Sequence, residues 1–193
     1  MFLISDLVSL LESYLDQKHI EEIYAAYLFS AEAHDGQHRL TGEPYIYHPI
    51  EVARILAEMR IDHTTIIAAI LHDVLEDTET TPGEILESFG SDVLTIVQEV
   101  TDDKSFPKQA RKDLQIAGAP RLSEQARWVK LADKICNLSD MAKNPPVGWP
   151  MERCVAYVDW CEAVIAGVRG THVGLEGRFD DVCESARNAF KVE

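Results

Sequence analysis

The chain has 193 residues, of which 46% are hydrophobic and 26% are charged. This balance is typical of a globular protein with a sizeable core and excludes a disordered chain or a disulfide-rich miniprotein. No stretch approaches the roughly 20 apolar residues that span a bilayer, so we expect no membrane association. The apolar N-terminal run lacks the leading basic residues of a signal peptide and predicts an amphipathic helix. The four cysteines form no C-x-x-C pair, which favours free thiols and a cytoplasmic location.

Charge is distributed unevenly along the chain. Eighteen lysine and arginine residues against 33 aspartate and glutamate residues give a net charge of −15, so most of the surface should repel nucleic acid and anionic membranes. Residues 104–134 are the exception, with eight basic and three acidic residues. This basic strip is either a place where a small anionic ligand is held or a solvated helix face.

Apolar residues recur at helical spacing almost throughout, and no run of strict alternation is long enough to indicate a sheet. We therefore predict an all-α fold with helices over residues 5–16, 20–38, 50–59, 64–77, 91–101, 107–117, 123–142, 151–167 and 173–190. Glycine and proline fall between most of these segments. Asp62 or Thr64 can cap the fourth helix, and Ser123 can cap the seventh.

The helix over 64–77 carries the strongest chemical signal. Its first half is apolar on every face, which predicts that it is buried, and it runs directly into His72 and Asp73. Burying a carboxylate beside an imidazole is costly unless it is compensated, and a divalent metal compensates both groups. The alternative is a His–Asp pair joined by a hydrogen bond at a helix edge.

Glu76 and Asp77 follow one helical turn later, at i, i+4 from His72 and Asp73. Adjacent carboxylates repel each other without a cation, and the helix dipole disfavours them at a C-terminus. If the first pair holds a metal, the second pair lies where it could serve as a general base toward water. An acidic helix end without function is the alternative.

Two further ligand candidates lie elsewhere. Asp133 interrupts an apolar helix and shares a face with Asn137; its partner is a metal, a capping amide, or a lysine at position 130 or 134. His48 precedes Pro49, which we expect to hold it outside the helical region at the start of the next helix. The rival metal pair is His34 with His38, at i, i+4 on one predicted helix.

The remaining histidines and the tryptophans carry weaker signals. His19, His63 and His172 have no convergent partner in the sequence and are expected at the surface. The three tryptophans at 128, 149 and 160 are expected to be packing residues, and Cys154 and Cys161 to be small buried hydrophobes.

Four stretches together resemble the HD-domain phosphohydrolases, and within them the alarmone hydrolases of the RelA/SpoT type. They are AHDGQHRLTGEPYIYHP (33–49), AAILHDVLEDTETT (68–81), FGSDVLTIVQEVTDDKS (89–105) and KLADKICNL (130–138). The H…HD…D set is common to HD proteins, whereas H-D-x-x-E-D-T and G-x-P-Y-x-x-H-P are particular to this branch. The resemblance covers about residues 20–170, which we take as the core of a single domain over residues 1–193.

The resemblance implies a compact multi-helix HD-domain fold and a manganese ion held by His48, His72, Asp73 and Asp133. Glu76 and Asp77 would handle the attacking water. The positions that match nucleotide contacts in the family are Arg39, Lys108, Asn137, Arg153 and Tyr157, and the basic strip adds Arg111 as a phosphate contact. The implied reaction is removal of the 3′-pyrophosphate from guanosine tetra- or pentaphosphate in the stringent response. Two imidazoles and two carboxylates without a thiolate also agree with manganese from ligand chemistry alone.

Several alternatives stay open. After Arg39 the family usually has another basic residue where this chain has Leu40, so adenine alarmones, (pp)pApp, and NADPH are further candidate substrates. A regulator that binds alarmones without cleaving them is the non-enzymatic alternative, although binding alone needs neither Glu76 nor Asp77. A helical scaffold with an incidental metal would leave the basic strip unexplained. We expect a small-molecule nucleotide and no nucleic acid as partner, and we leave a homo-oligomer open.

Overall fold

The computed structural model describes residues 2–39 and 42–190, which form two compact units, residues 1–103 and 104–193. Within these described residues every regular element is a helix, apart from an isolated bridge between His38 and Pro44. The predicted all-α fold class is therefore confirmed. The single domain over residues 1–193 stays a prediction, and Leu40 lies outside the described residues.

The first unit is built around a buried helix. Its helices are α1 (Ile4–Leu11), α2 (Gln17–Ala33), α3 (Tyr47–Glu58), α4 (His63–Leu71), α5 (Val74–Asp77) and α6 (Pro82–Val100). From Ile66 to Leu71 helix α4 is apolar all round, and the helix packs against α2, α3 and α6. Every residue from Thr65 to Leu71 is buried, so the chain that follows α4 is fixed by the core.

The second unit consists of four helices and a short 3₁₀ turn. These are α7 (Lys108–Gly118), the turn Ala119–Arg121, α8 (Glu124–Lys143), α9 (Met151–Ala166) and α10 (Val173–Ala189). Helix α8 packs against α9 and α10, and α7 packs against α9. Cys154 and Cys161 lie fully buried in α9, as predicted, and the four cysteines, all within the described residues, form no disulfide.

Helix starts follow the capping residues. The Asp62 side chain accepts a hydrogen bond from the Thr65 N–H, and Ser123 accepts one from Ala126, so both predicted caps are confirmed. The predicted helix over 91–101 misses the first half of α6, where Pro82 and Gly83 are residue types that indicate a break. Thr81 instead forms a capping box with Glu84, and Pro82 stands at the first helical position, where proline costs no hydrogen bond. Gly90, at φ 84°, kinks α6 near the predicted start.

The predicted continuous helix over 64–77 is wrong, because the chain breaks at His72 and Asp73. The His72 ring Nδ1 donates to the carbonyl oxygen of Ala69 at 2.8 Å. In an unbroken helix that carbonyl would accept the N–H of residue 73. The side chain thus takes the place of a helical hydrogen bond, and α5 starts as a separate short turn with Asp73 at its N-cap position.

Two other expectations, on His48 and His172, are corrected. His48 lies inside α3 rather than before it; Pro49 is tolerated because the first turn has no helical partner for its missing N–H. The three tryptophans, expected to be packing residues, are each partly buried. His172 is the N-cap of α10, where its Nδ1 accepts from the Leu175 N–H at 3.1 Å. Among the described residues, no helix has the length and apolar character that crossing a bilayer requires.

Candidate functional site

Two histidines and an aspartate meet in the first unit. His48 and His72 are both buried, their ring centroids lie 5.2 Å apart, and each offers a nitrogen within 4.8 Å of the other. The Asp73 Oδ2 lies 3.1 Å from His72 Nε2 and 3.8 Å from His48 Nε2. Helix α3 supplies the first ring and the end of buried α4 supplies the second. The structure thus brings together the predicted metal ligands His48, His72 and Asp73.

The hydrogen bond of His72 determines which of its nitrogens can bind a cation. A carbonyl oxygen only accepts, so the Nδ1 that contacts Ala69 carries the proton. In a neutral imidazole the lone pair is then on Nε2, which is the atom that faces Asp73. A backbone carbonyl that fixes the tautomer in this way is typical of metal-binding histidines. These three residues therefore fit a divalent metal.

A tyrosine and a third histidine support Asp73, and the ligand prediction did not include either. Tyr45 Oη donates to Asp73 Oδ2 at 2.5 Å. The His34 ring lies tilted against the Tyr45 ring, with the centroids 4.6 Å apart, and its Nδ1 donates to the Gln37 side chain. The His38 ring contacts the Gly36 carbonyl, and α2 ends at Ala33, so His34 and His38 do not share one helix as predicted. The signal for Tyr45 was its place in the G-x-P-Y-x-x-H-P loop.

Glu76 and Asp77 lie on α5, directly after the break. Burial raises the pKa of Glu76, and the charges of Asp102, Asp77 and Asp73 raise it further. The backbone N–H of Asp102 donates to Glu76 Oε2 at 3.1 Å, which opposes this rise in pKa. The Asp77 carbonyl accepts from the Gln37 side chain at 2.8 Å, which anchors the turn. Glu76 is therefore a carboxylate held in place and more basic than an exposed one.

Asp133 lies on α8 in the second unit, paired with polar neighbours. Lys134 Nζ lies 3.0 Å from its Oδ2, and Asn137 Nδ2 donates to its Oδ1 at 2.5 Å. Burial alone would lower the pKa of Lys134, but the Asp133 carboxylate outweighs it, and the pKa is raised above its usual range. The lysine partner that sequence reasoning left open is thus present.

Predicted nucleotide contacts gather on α9 with residues that the sequence analysis missed. The Arg153 guanidinium lies 3.8 Å above the Trp149 ring, and Lys112 Nζ lies 4.6 Å from the Trp160 ring and 5.6 Å from the Tyr157 ring. We call these five residues the cation–aromatic cluster. In the sequence Lys112 is one of eight basic residues in the strip and nothing distinguishes it from the others. The tryptophans were expected to be packing residues.

The cation–aromatic cluster carries excess positive charge. Burial lowers the pKa of Lys112, and the charges of Lys108, Lys134 and Arg153 lower it further. Mutual repulsion of this kind is relieved by an anion, and flat rings beside it can stack on a base.

The other predicted contacts are more dispersed. Lys108 is the exposed first residue of α7 and Arg111 lies one turn further on. Arg39 belongs to the first unit, in the loop after α2, where its N–H donates to the Glu43 carbonyl.

Comparison with known proteins gives one consistent family. The HD domain family matches residues 26–152. A Xenopus tropicalis protein named guanosine-3′,5′-bis(diphosphate) 3′-pyrophosphohydrolase MESH1 is 50% identical over 156 residues, which is 79% of this chain and 87% of that protein. The human protein of the same name is 46% identical over 167 residues, covering 84% of this chain and 89% of the human one.

A solved structure of similar fold also belongs to a ppGpp hydrolase. It is described as a metazoan ortholog of SpoT that hydrolyzes ppGpp and plays a role in starvation responses. It aligns with a TM-score of 0.82 at 38% identity and covers 89% of this chain and 96% of that chain.

Proposed function

Because this chain belongs to the HD-domain family, and within it to the MESH1-type hydrolases, we propose that it removes the 3′-pyrophosphate from guanosine-3′,5′-bis(diphosphate). The reaction consumes one water and gives GDP and pyrophosphate; the pentaphosphate gives GTP. The observation that carries the proposal is the meeting of His48, His72 and Asp73, with the His72 tautomer fixed for ligation.

We propose Mn²⁺ as the cofactor. The donors are imidazole nitrogen and carboxylate oxygen with no thiolate, a set that suits manganese better than structural zinc. When bound, the ion would supply Lewis-acid polarisation of the phosphate and would lower the pKa of a water. Asp133 is proposed as the fourth ligand on the strength of the KLADKICNL motif, with Asn137 orienting one of its carboxylate oxygens.

Glu76 and Asp77 are proposed to handle the proton of the attacking water. A general base works best when its pKa lies close to the working pH, and burial moves the pKa of Glu76 in that direction. The Asp102 N–H holds one oxygen of Glu76, which fixes the position of this carboxylate. Tyr45 meanwhile keeps Asp73 oriented through its hydroxyl.

The nucleotide is proposed to contact Arg39, Lys108, Arg111, Asn137, Arg153 and Tyr157, with Lys112 added from the structure. A protein with a net charge of −15 attracts a highly anionic substrate only where charge is locally reversed, and the cation–aromatic cluster is such a place. Lysine and arginine would hold the 5′-phosphates, and Tyr157 or Trp149 can stack on the base. Cytoplasmic location stays a prediction, and a homo-oligomer stays open.

A substrate panel tests the activity. The purified chain with Mn²⁺ is offered guanosine tetra- and pentaphosphate, their adenine counterparts and NADPH, and the products are separated by chromatography. We expect GDP and pyrophosphate in equal amounts from the tetraphosphate, and no product from His72→Ala. Failure to release pyrophosphate from any alarmone would overturn the proposal. Phosphate release from NADPH alone would reassign the enzyme as a nucleotide phosphatase, and tight binding without turnover would favour the regulator.

A further inference from the structure

A second cluster of metal-binding residues lies at the other end of α4. His19 and Glu22 occupy the first turns of α2, and His63 is the first residue of α4. One ligand atom from each lies within 4.8 Å of the other two. Helix α4 separates this cluster from His72 by about 13 Å of helix rise. The cluster is therefore a different site from the one described above.

We propose that His19, Glu22 and His63 bind one Zn²⁺ per chain, in addition to the ion of the active site. The two imidazole rings stack with their centroids 3.8 Å apart and an interplanar angle of 29°. His63 Nε2 lies 3.8 Å from Glu22 Oε2. Two imidazolium charges at this separation would repel each other, whereas two neutral rings beside a carboxylate can share one dication.

Asp16 orients the first histidine for this task. Its Oδ1 lies 2.9 Å from His19 Nδ1 and also accepts the His19 backbone N–H at 2.9 Å. A carboxylate that holds one ring nitrogen as a donor leaves the other nitrogen as the metal ligand and increases its basicity. The His19 ring is thus held as metal-binding histidines usually are, by a residue that already caps α2.

The donor set fits zinc, and small side-chain movements bring the three ligand atoms to zinc geometry. Two histidines and a glutamate are a known three-ligand set for Zn²⁺, with water completing the tetrahedron. Ligand atoms on a tetrahedral zinc with bonds of about 2.0–2.1 Å lie about 3.3–3.4 Å apart. The His63 and Glu22 atoms, 3.8 Å apart, must close by about 0.4–0.5 Å. The side chains of His19, Glu22 and His63 are 30%, 40% and 32% exposed, so they have room to move. Bound zinc would tie the first turn of α2 to the first turn of α4.

The test uses the full chain loaded with Mn²⁺, titrated with Zn²⁺ and then desalted, with both metals counted by mass spectrometry. We expect one zinc per chain beyond the active-site ion, and its loss in His63→Asn and in His19→Asn. Asp16→Asn should weaken the site by about 10–100-fold, while asparagine keeps the helix cap. Glu22→Gln should weaken zinc binding, whereas Glu21→Gln, the same charge change on the exposed neighbouring residue, should not.

Two further measurements keep the result unambiguous. The variant His72→Ala should still bind zinc at the second site, which separates this site from exchange at the active centre. Zinc should also raise the melting temperature of the wild type and leave that of His63→Asn unchanged, since a ligand stabilises only the state that binds it. Equal zinc uptake by the wild type and both histidine variants, or no uptake beyond the active site, would overturn the proposal.

Discussion

Replacing Glu76 by glutamine isolates the proton-transfer step from folding and binding. The two side chains have the same shape, and the amide oxygen can still accept the Asp102 N–H that now lies 3.1 Å from the carboxylate. What is lost is the ability to take a proton from water. We therefore expect kcat to fall by about 10²–10⁴, the usual contribution of a general base. At 1.36 kcal/mol per decade this is about 2.7–5.4 kcal/mol of activation free energy.

The pH profile sharpens this prediction. Glu76 accepts a proton only when it is ionised, and burial together with neighbouring carboxylates raises its pKa. Wild-type activity should therefore decline as the pH falls through this raised pKa, and Glu76→Gln should lose that acid limb.

Steady-state kinetics from pH 5 to 9 and metal analysis provide the readout. We expect the KM and the manganese content of Glu76→Gln to match those of the wild type. Glu79→Gln, the same charge change at an exposed position, is the control and should keep its kcat. A Glu76→Gln protein with full metal and wild-type kcat would refute the assigned role.

Four other predictions test the site and the fold. His72→Ala should lose bound metal and activity together; full metal content in a folded variant would remove His72 from the ligand set. Lys108→Ala should raise KM without changing the metal content. The rise in KM should be larger for a 5′-triphosphate substrate than for a 5′-monophosphate substrate, and equal rises would assign Lys108 to another part of the ligand. Burial and the Asp62 charge raise the pKa of Tyr14 from 10.0 to about 12 in the native state. The unfolded chain therefore loses this proton at lower pH, and the wild type should lose stability relative to Tyr14→Phe as the pH rises between these values. Urea midpoints for both proteins at pH 9 and 11 measure this loss, and parallel midpoints would contradict it. Ile66→Ala, at a fully buried position of α4, should lower the free energy of unfolding by about 2–5 kcal/mol, and a loss below 1 kcal/mol in a denaturant titration would show that the core relaxes around the cavity.

Local signals in the sequence were the most reliable guide to the fold. The sequence offers Asp62 or Thr64 and Ser123 as helix caps, and Asp62 and Ser123 are caps, because a capping side chain bonds an N–H only two or three residues away. The break at His72 was missed for the opposite reason. The apolar pattern of residues 64–77 continues past His72 and gives no sign of the break. The competing hydrogen bond from the His72 ring to the Ala69 carbonyl depends on a side-chain orientation, which hydrophobic periodicity does not report.

The sequence by itself determined the helical class, the buried character of α4 and the chemical types of the residues that follow it, since these depend on hydrophobic spacing and on residue identity. Only the tertiary structure decided which of these groups meet. Tyr45 donates a hydrogen bond to Asp73, and Lys112 lies over the rings of Tyr157 and Trp160. The ring of His19 stacks on that of His63, although both histidines were expected at the surface without a partner. Such contacts join residues far apart in the chain, and they form because the packing of apolar helix faces fixes where the polar residues beside those faces come together.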